Sequence, residues 1–328
     1  MPSIAGQGAA ALWYVAPGRS EIREEPLVAP AAHEVEVRAL HGALSRGTER
    51  LVFTGRVPES EFERMRSPFM AGAFPFPVKY GYAVVGRVEA GPQQLLGRIV
   101  FALHPHQSVF KIPAEAAIPL PNAVPPRRAV LAANMETALN AVWDAGPGPV
   151  DRIAIVGGGL VGSLVGYLCG KLPGANVTLV DIEEKRADLA RRLGFLFSPP
   201  ERAPRDCDVV FHASGTAAGL ATALRLVGEE ASVIELSWYG RGEVSVPLGE
   251  AFHSRRLRLL SSQVGRVAPS HRARWTPRRR LAAALDLLAD PALEALLAPA
   301  IPFRDLPARL PAIFAPETGV LCQVIDYA

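Results

Sequence analysis

Three glycines in the spacing Gly157-x-Gly159-x-x-Gly162 close a short apolar run, Arg152-Ile-Ala-Ile-Val156, and lead into a segment apolar at helical spacing. Those residue types in that order can cradle a pyrophosphate. Gly157 permits a tight turn, Gly159 lets backbone approach the phosphates, and Gly162 lets the next helix lie against the strand. Leu160 and Val161 open that helix, whose free N–H groups meet the anion at its positive end.

An acid narrows the ligand. Ala175-Asn-Val-Thr-Leu-Val-Asp181 reads as a second buried strand, and Asp181 follows Gly162 by about 20 residues, the spacing of a ribose-binding carboxylate. A carboxylate there accepts from a 2′-OH and repels a 2′-phosphate, so it favours NAD(H) over NADP(H). The plainer alternative is a Gly-rich turn followed by a solvated Asp. Strand, turn, helix, strand and acid in unbroken order weigh against it.

The elements that position these residues alternate as a doubly wound α/β sheet requires. Asp208-Val-Val-Phe-His-Ala, Ala231-Ser-Val-Ile-Glu-Leu and Leu257-Arg-Leu-Leu-Ser are the later strands, with helices at 185–193 and 217–227 between them. Upstream, the chain from about Ala10 to Pro119 is β-rich. Glu34-Val-Glu-Val-Arg-Ala-Leu alternates polar and apolar, and 84–90 and 98–103 supply further strands. Glu59-Ser-Glu-Phe-Glu-Arg-Met predicts a short helix, Pro121 to Pro126 a hinge, and Arg127 to Trp143 one helix. A helix over 276–288 has Thr276 as its N-cap and Pro277 at its first position. The tail, 319–327, reads as a strand returning to the first domain. The expected division is 1–121 with 269–328 as a β-rich substrate domain, and 122–268 as the Rossmann dinucleotide-binding domain.

Composition sets the class. With 328 residues, 49% apolar and 20% charged, the chain has room for two cores. A net charge of +3 is too even to point to a polyanion. The basic run from Arg272 to Arg280 opens an amphipathic helix and reads as a solvated face rather than a nucleic-acid site. Cys169, Cys207 and Cys322 form no CxxC pair, which excludes a disulfide framework and a Cys-rich zinc site. Met1 to Gln7 lacks the basic start and apolar core of a signal peptide, and no stretch is apolar enough to cross a bilayer. The expectation is a cytoplasmic protein without membrane or nucleic-acid partners.

Further motifs carry a family resemblance over nearly the whole chain. Arg46-Gly47-Thr48-Glu49, Lys79-Tyr80-Gly81-Tyr82-Ala83-Val84-Val85-Gly86, Asp181-x-x-x-x-Arg186, Phe211-His-Ala-Ser214-Gly215 and Leu236-Ser237-Trp238-Tyr239-Gly240 join the glycine motif. With them the sequence resembles the medium-chain dehydrogenase/reductase superfamily of zinc-type alcohol dehydrogenase-like proteins. Leu44-Ser-Arg-Gly-Thr-Glu49, Phe74-Pro-Phe-Pro-Val-Lys-Tyr-Gly-Tyr82, Pro105-His106-Gln107 and Asn134-Met-Glu-Thr137 are similar to the branch that contains bacteriochlorophyllide dehydrogenase. The resemblance implies a GroES-like β domain beside the Rossmann sheet, a homodimer, and cofactor contacts from Gly157, Gly159, Leu160, Val161, Gly162, Asp181, Arg186, Ser214, Gly215, Ser237 and Trp238.

The departures are chemical. Zinc-dependent members place a Cys and a His where this chain has Arg46 and Tyr82, with Ala83 in place of an acid, and the four-cysteine zinc lobe is absent. Zinc needs thiolate, imidazole or carboxylate ligands in a tetrahedron, and a guanidinium repels it. No zinc is expected. A hydrogen-bond donor or a cation must then polarise the substrate oxygen. Tyr82 takes the position of the ligand His, and Thr48 that of the hydroxyl that relays the alcohol proton. Arg46 and Glu49 are read as an ion pair at the site, or Arg46 as a binder of an acidic substrate. His106 is a proton carrier near neutral pH or a loop histidine. Tyr82 filling vacated space, Thr48 and Glu49 as turn residues, and Trp238 and Tyr239 as plain packing remain alternatives.

The expected function is a zinc-independent, NAD(H)-dependent oxidoreductase that interconverts an alcohol and a carbonyl on a bulky or apolar small molecule. The alternatives are an NAD(P)H-dependent quinone or enone reductase and a non-catalytic dinucleotide-binding module. Substrate identity and reaction direction are not written in the sequence.

Overall fold

The computed structural model describes residues 8–315 and 318–328. The stretch 1–7, read above for a leader signal, lies outside the described residues. Those described fall into two compact units, one within Met1–Ala133, Leu285–Ala289 and Leu296–Ala328, the other within Asn134–Ala284 and Asp290–Ala295.

In the second unit the described strands form one six-stranded parallel sheet. It runs Leu196–Ser198, Asn176–Val180, Arg152–Val156, Cys207–His212, Val227–Glu235, Arg258–Ser261. Numbered along the chain, that is the order 3-2-1-4-5-6 of a Rossmann sheet. Ile153, Ile155, Leu179, Phe211 and Val233 are wholly buried, as expected of parallel strands covered on both faces. Helices Leu160–Cys169, Arg186–Leu193 and Ala217–Leu226 supply the cover. The strand order reverses between Arg152–Val156 and Cys207–His212, and the carboxyl ends of those strands open the ligand crevice.

Residues 269–284 pack with this sheet rather than with the β-rich unit expected for them. The reason is Arg280, which is 2% exposed in helix Pro277–Asp286. Its guanidinium donates to Glu136 Oε1 at 3.0 Å, to the Asn140 side-chain oxygen and to the Val264 and Arg266 carbonyls. A buried cation needs such partners, and all of them lie in this unit. The Thr276 hydroxyl accepts from the Arg279 N–H at 3.2 Å, as an N-cap should.

The other unit is β-rich. Its larger sheet runs Ile301–Pro302, Gln323–Asp326, Glu34–Leu44, Val84–Ala90, Ile99–Ala102, Ile118–Pro119, with Val109–Pro113 also paired to Glu34–Leu44. Val35, Val37 and Ala39 point into its core, the alternation that marked this strand in the sequence. The tail returns as expected, Gln323 opposite Leu44 and Asp326 opposite His41. A smaller sheet orders Arg19–Glu25, Ala9–Ala16, Val78–Lys79 and Ala71–Gly72.

Two predicted helices come out differently. The segment Arg127–Trp143 divides into Pro126–Ala129 and Ala132–Ala145. At 59–65 only a 3₁₀ turn forms, Glu59–Glu61, because no residue of it is buried to hold a longer helix.

Candidate functional site

The β-rich unit buries a carboxylate. Helix Arg46–Phe53 turns Leu51, Val52 and Phe53 into the core, and Glu49 goes in with them, 0% exposed. Three donors compensate its charge. Glu49 Oε1 accepts from the Ser45 N–H at 2.8 Å, and Oε2 lies 2.9 Å from the Tyr14 hydroxyl and 2.8 Å from His106 Nε2. An ionised carboxylate only accepts, so the proton in the last contact sits on His106 Nε2. His106 Nδ1 is buried with no hydrogen-bond partner among the described residues. Gly81 makes room for the ring: at φ +133° it favours glycine, and a Cβ there would stand 2.8 Å from His106 Nε2.

Tyr82 is half-buried, with its hydroxyl hydrogen-bonded by the Ser45 and Thr48 side chains. Burial first, and the Glu49 charge second, push its pKa up to about 12. Tyr82 is therefore a neutral phenol and a hydrogen-bond donor at ordinary pH. His104 stacks on Phe110 at 3.9 Å and contacts the Pro105 carbonyl through Nδ1 at 2.9 Å. Burial drives that imidazole down to about 3, so it is neutral.

Arg46 faces different company. Its guanidinium donates to the carbonyls of Ile313, Ala315 and Val320 at 3.0, 2.7 and 2.7 Å. The chain thus gathers Tyr82, Thr48, Glu49 and His106 in one polar cluster and uses Arg46 to anchor the C-terminal segment. Ser45 and Tyr14 belong to the cluster although no motif marked them. Ser45 was legible as the residue before a helix, and Tyr14 as an inward tyrosine in a strand, whose hydroxyl needs a partner.

Among the described residues, no group of three or more His, Cys, Asp or Glu side chains is placed to hold an ion. The side chains that hydrogen-bond Tyr82, those of Ser45 and Thr48, are hydroxyls, which do not make a zinc set.

In the Rossmann unit the three glycines form a cradle. At Gly157, φ is +111° and a Cβ would stand 2.6 Å from the Ser214 nitrogen. A Cβ on Gly162 would collide with the Gly157 carbonyl oxygen, whereas at Gly159 nothing lies within 4 Å. Gly159 caps helix Leu160–Cys169, with Leu160 and Val161 following it, so free N–H groups stand at an open face that fits a pyrophosphate. Asp181 reaches this turn: Oδ2 accepts from the Gly158 N–H at 2.5 Å and Oδ1 from the Glu183 N–H at 2.8 Å. Arg186 lies at the same spot, its Cγ 3.2 Å from where a Gly158 Cβ would be.

Ser214 and Gly215 follow the next strand over, and the Gly215 N–H donates to Ser237 Oγ at 3.0 Å. Trp238 is half-buried in the segment after Val227–Glu235. His212 is buried and bonded on both sides, to Glu235 through Nδ1 and to Ser214 through Nε2, each at 2.7 Å.

No family model matches the sequence. Solved structures do match the fold. L-idonate 5-dehydrogenase of Escherichia coli superposes with TM-score 0.79 at 15% identity, over 97% of this chain and 98% of that one. An E. coli alcohol dehydrogenase complexed with NADH gives 0.78 at 15%, over 98% and 100%. A candidate zinc-binding dehydrogenase of Sinorhizobium meliloti bound to NADP gives 0.78 at 18%, over 98% and 100%. The fold is therefore the one these structures share, a Rossmann sheet in one unit and a β-rich GroES-like sheet in the other.

Proposed function

We propose that the chain is an NAD(H)-dependent oxidoreductase that interconverts an alcohol and a carbonyl without zinc, in the branch resembling bacteriochlorophyllide dehydrogenase. The observation that carries the cofactor reading is the cradle itself. Gly159 is open, Gly157 and Gly162 have no room for a side chain, and Asp181 is held at Gly158 where it meets an adenosine ribose. Dehydrogenases of the same fold with NADH and NADP bound agree with a nicotinamide cofactor.

A bound nicotinamide accepts or returns a hydride. The chain's own share is to hold the substrate oxygen and move its proton. Tyr82, kept as a phenol, donates a hydrogen bond to that oxygen, and Thr48 beside it passes the proton. Glu49 and His106 work from behind by fixing Ser45, which contacts Tyr82. Arg46 is left to hold the tail. The substrate is a bulky or apolar small molecule, and neither nucleic acid nor membrane takes part. The functional unit is a homodimer.

A second reading, an NAD(P)H-dependent quinone or enone reductase, is favoured by Arg186 lying beside Asp181, where a guanidinium would suit a 2′-phosphate. Fluorescence titration with NADH and NADPH, together with zinc analysis of the protein, tests both. NADH preference without stoichiometric zinc supports the alcohol/carbonyl reading. NADPH preference without zinc promotes the enone reductase. One zinc per chain overturns the metal-free mechanism, and no binding of either nucleotide overturns the dinucleotide reading.

A further inference from the structure

We propose that Arg280 is a positioning residue: with Glu136, Asn140 and Asp144 it clamps the loop 262–268 in the shape that receives the nicotinamide half of the dinucleotide. This rests on the dinucleotide reading above.

The clamp begins as a pattern in the sequence. Glu136, Asn140 and Asp144 recur every four residues in helix Ala132–Ala145, which sets them on one face. That face grips the loop that follows the last strand of the parallel sheet, Arg258–Ser261. At the start of the loop the Ser262 hydroxyl donates to Asp144 Oδ2 at 2.6 Å. At its end the Asn140 side-chain oxygen accepts from the Ala268 N–H at 3.0 Å. The Asn140 amide nitrogen donates in turn to Asp144 Oδ2 at 3.0 Å, which joins the two grips. Arg280 holds the middle. Its guanidinium donates to the Val264 and Arg266 carbonyls and is braced by Glu136 Oε1 at 3.0 Å and by the Asn140 oxygen.

Stability alone does not account for this arrangement. A buried Arg–Glu pair gains little over apolar packing of the same volume. What a guanidinium adds is direction, because its N–H groups form a planar fork that fixes the carbonyls they hold. Glu136, Asn140 and Arg280 are all buried, and each bonds either the loop or another member of the clamp.

The place of the loop gives its ligand. A sheet of order 3-2-1-4-5-6 is made of two mononucleotide-binding halves. The glycine cradle and Asp181 belong to the half built on strands one to three, which takes the pyrophosphate and the adenosine. The nicotinamide mononucleotide then falls to the carboxyl ends of strands four to six. Loop 262–268 leaves the carboxyl end of strand six, and its Ser262 N–H donates to the Glu235 carbonyl at 3.0 Å, at the end of strand five. The Val264 and Arg266 carbonyls turn inward to Arg280, while Gln263, Gly265 and Arg266 are exposed. Gln263 Oε1 accepts from the Gly265 N–H at 2.6 Å and closes the turn on itself. A loop set before the ligand arrives need not be ordered by it, and the cost of binding falls accordingly.

The test separates the two halves of the ligand. NADH spans both, whereas ADP occupies only the cradle and the adenosine site. Arg280→Lys keeps a cation beside Glu136 but replaces the fork by a point charge. If the loop is then formed about a tenth of the time, the apparent Kd for NADH rises about tenfold, and that for ADP does not change. Calorimetric titration of the full chain with each nucleotide reads both. Equal losses for NADH and ADP, or no loss for NADH, overturn the proposal, because a purely structural role moves the two together. If Arg280→Lys does not fold, Ser262→Ala takes its place. It removes one tie at the start of the loop and leaves the buried pair intact, with an expected loss of about threefold for NADH and none for ADP. An equal loss for both, or none for NADH, again overturns the proposal. No binding of NADH by the unmodified protein overturns the dinucleotide reading as well.

Discussion

The Glu49 carboxylate and the His106 imidazole meet at 2.8 Å with both side chains 0% exposed. A pair so placed cannot exchange its partner for water. Removing Glu49 leaves the Ser45 N–H, the Tyr14 hydroxyl and the His106 ring without their shared acceptor, at a cost of about 3 kcal/mol or more. Glu49→Ala is therefore expected to lower the unfolding free energy by at least that much in urea titrations. Glu49→Gln, which keeps one acceptor oxygen but turns an amide donor toward the Ser45 N–H or toward Tyr14 and His106, is expected to recover only part of it. A loss below about 1 kcal/mol would mean that the carboxylate is not compensated as described.

Tyr82 is expected to matter for rate and not for folding. In the proposed mechanism its phenol donates toward the substrate, and truncation to Tyr82→Phe removes only the hydroxyl. By analogy with lost oxyanion donors, kcat should fall by roughly 10²-fold to 10³-fold with the melting temperature nearly unchanged. A fall confined to KM would assign Tyr82 to binding instead.

Burial of the phenols gives a pH prediction. Tyr14, Tyr80, Tyr82, Tyr239 and Tyr327 all hold their protons above the usual tyrosine value, burial being the main cause for each. Folding therefore stabilises the protonated form. That contribution is complete below about pH 10, the value in the unfolded chain, and is lost as pH rises through the folded values, about 12 for Tyr82. Tyrosinate absorbance should show five of the six tyrosines silent near pH 10 and then appearing together as the chain unfolds. Smooth ionisation of all six near pH 10 in folded protein would contradict the burial.

The glycine cradle predicts its own loss of function. Gly162→Ala sets a Cβ against the Gly157 carbonyl oxygen and must push the helix off its strand, so NADH affinity should fall by more than tenfold. Asp181→Ser should instead keep the fold and narrow the preference for NADH over NADPH. Unchanged discrimination would remove Asp181 from the ribose site.

These sites differ in how far the sequence announced them. The cradle and Asp181 were legible because their chemistry is local: turn, helix start and strand end follow one another in the chain. Glu49 and His106 stand 57 residues apart, and His212 and Glu235 stand 23 apart. The second pair is made by strand pairing and the first by burial of a helix residue against a loop residue, and no local pattern encodes either. Arg46 shows the converse. Its position suggested substrate chemistry, and among the described residues its guanidinium also donates to three carbonyls more than 260 residues away. The break in helix 127–143 and the place of residues 269–284 were illegible for the same reason, since Arg280 finds its acceptors only once the sheet is assembled.

The proposed dimer has a specific edge to use. Strand Arg258–Ser261 ends the parallel sheet with all four residues exposed, and Leu259 and Leu260 show 37% and 46% of their surface. An open edge with apolar side chains is a template for pairing with a second copy. Light scattering at micromolar protein should give twice the chain mass, and Leu260→Arg should shift it toward the monomer. A monomer in the unmodified protein would remove the proposal.

Arg46 decides between anchoring and substrate binding. Three carbonyls share its guanidinium, and the helix that begins at Arg46 is thereby tied to Ile313, Ala315 and Val320. Arg46→Ala leaves those carbonyls without a donor, and a loss of about 3 kcal/mol in stability is expected. Arg46→Lys supplies one point charge in place of a planar fork and should recover only part of it. If Arg46 instead bound an acidic substrate, both variants would raise KM with stability unchanged. Urea unfolding and steady-state kinetics on the same two proteins separate these outcomes, because anchoring predicts a stability deficit that substrate saturation cannot mask.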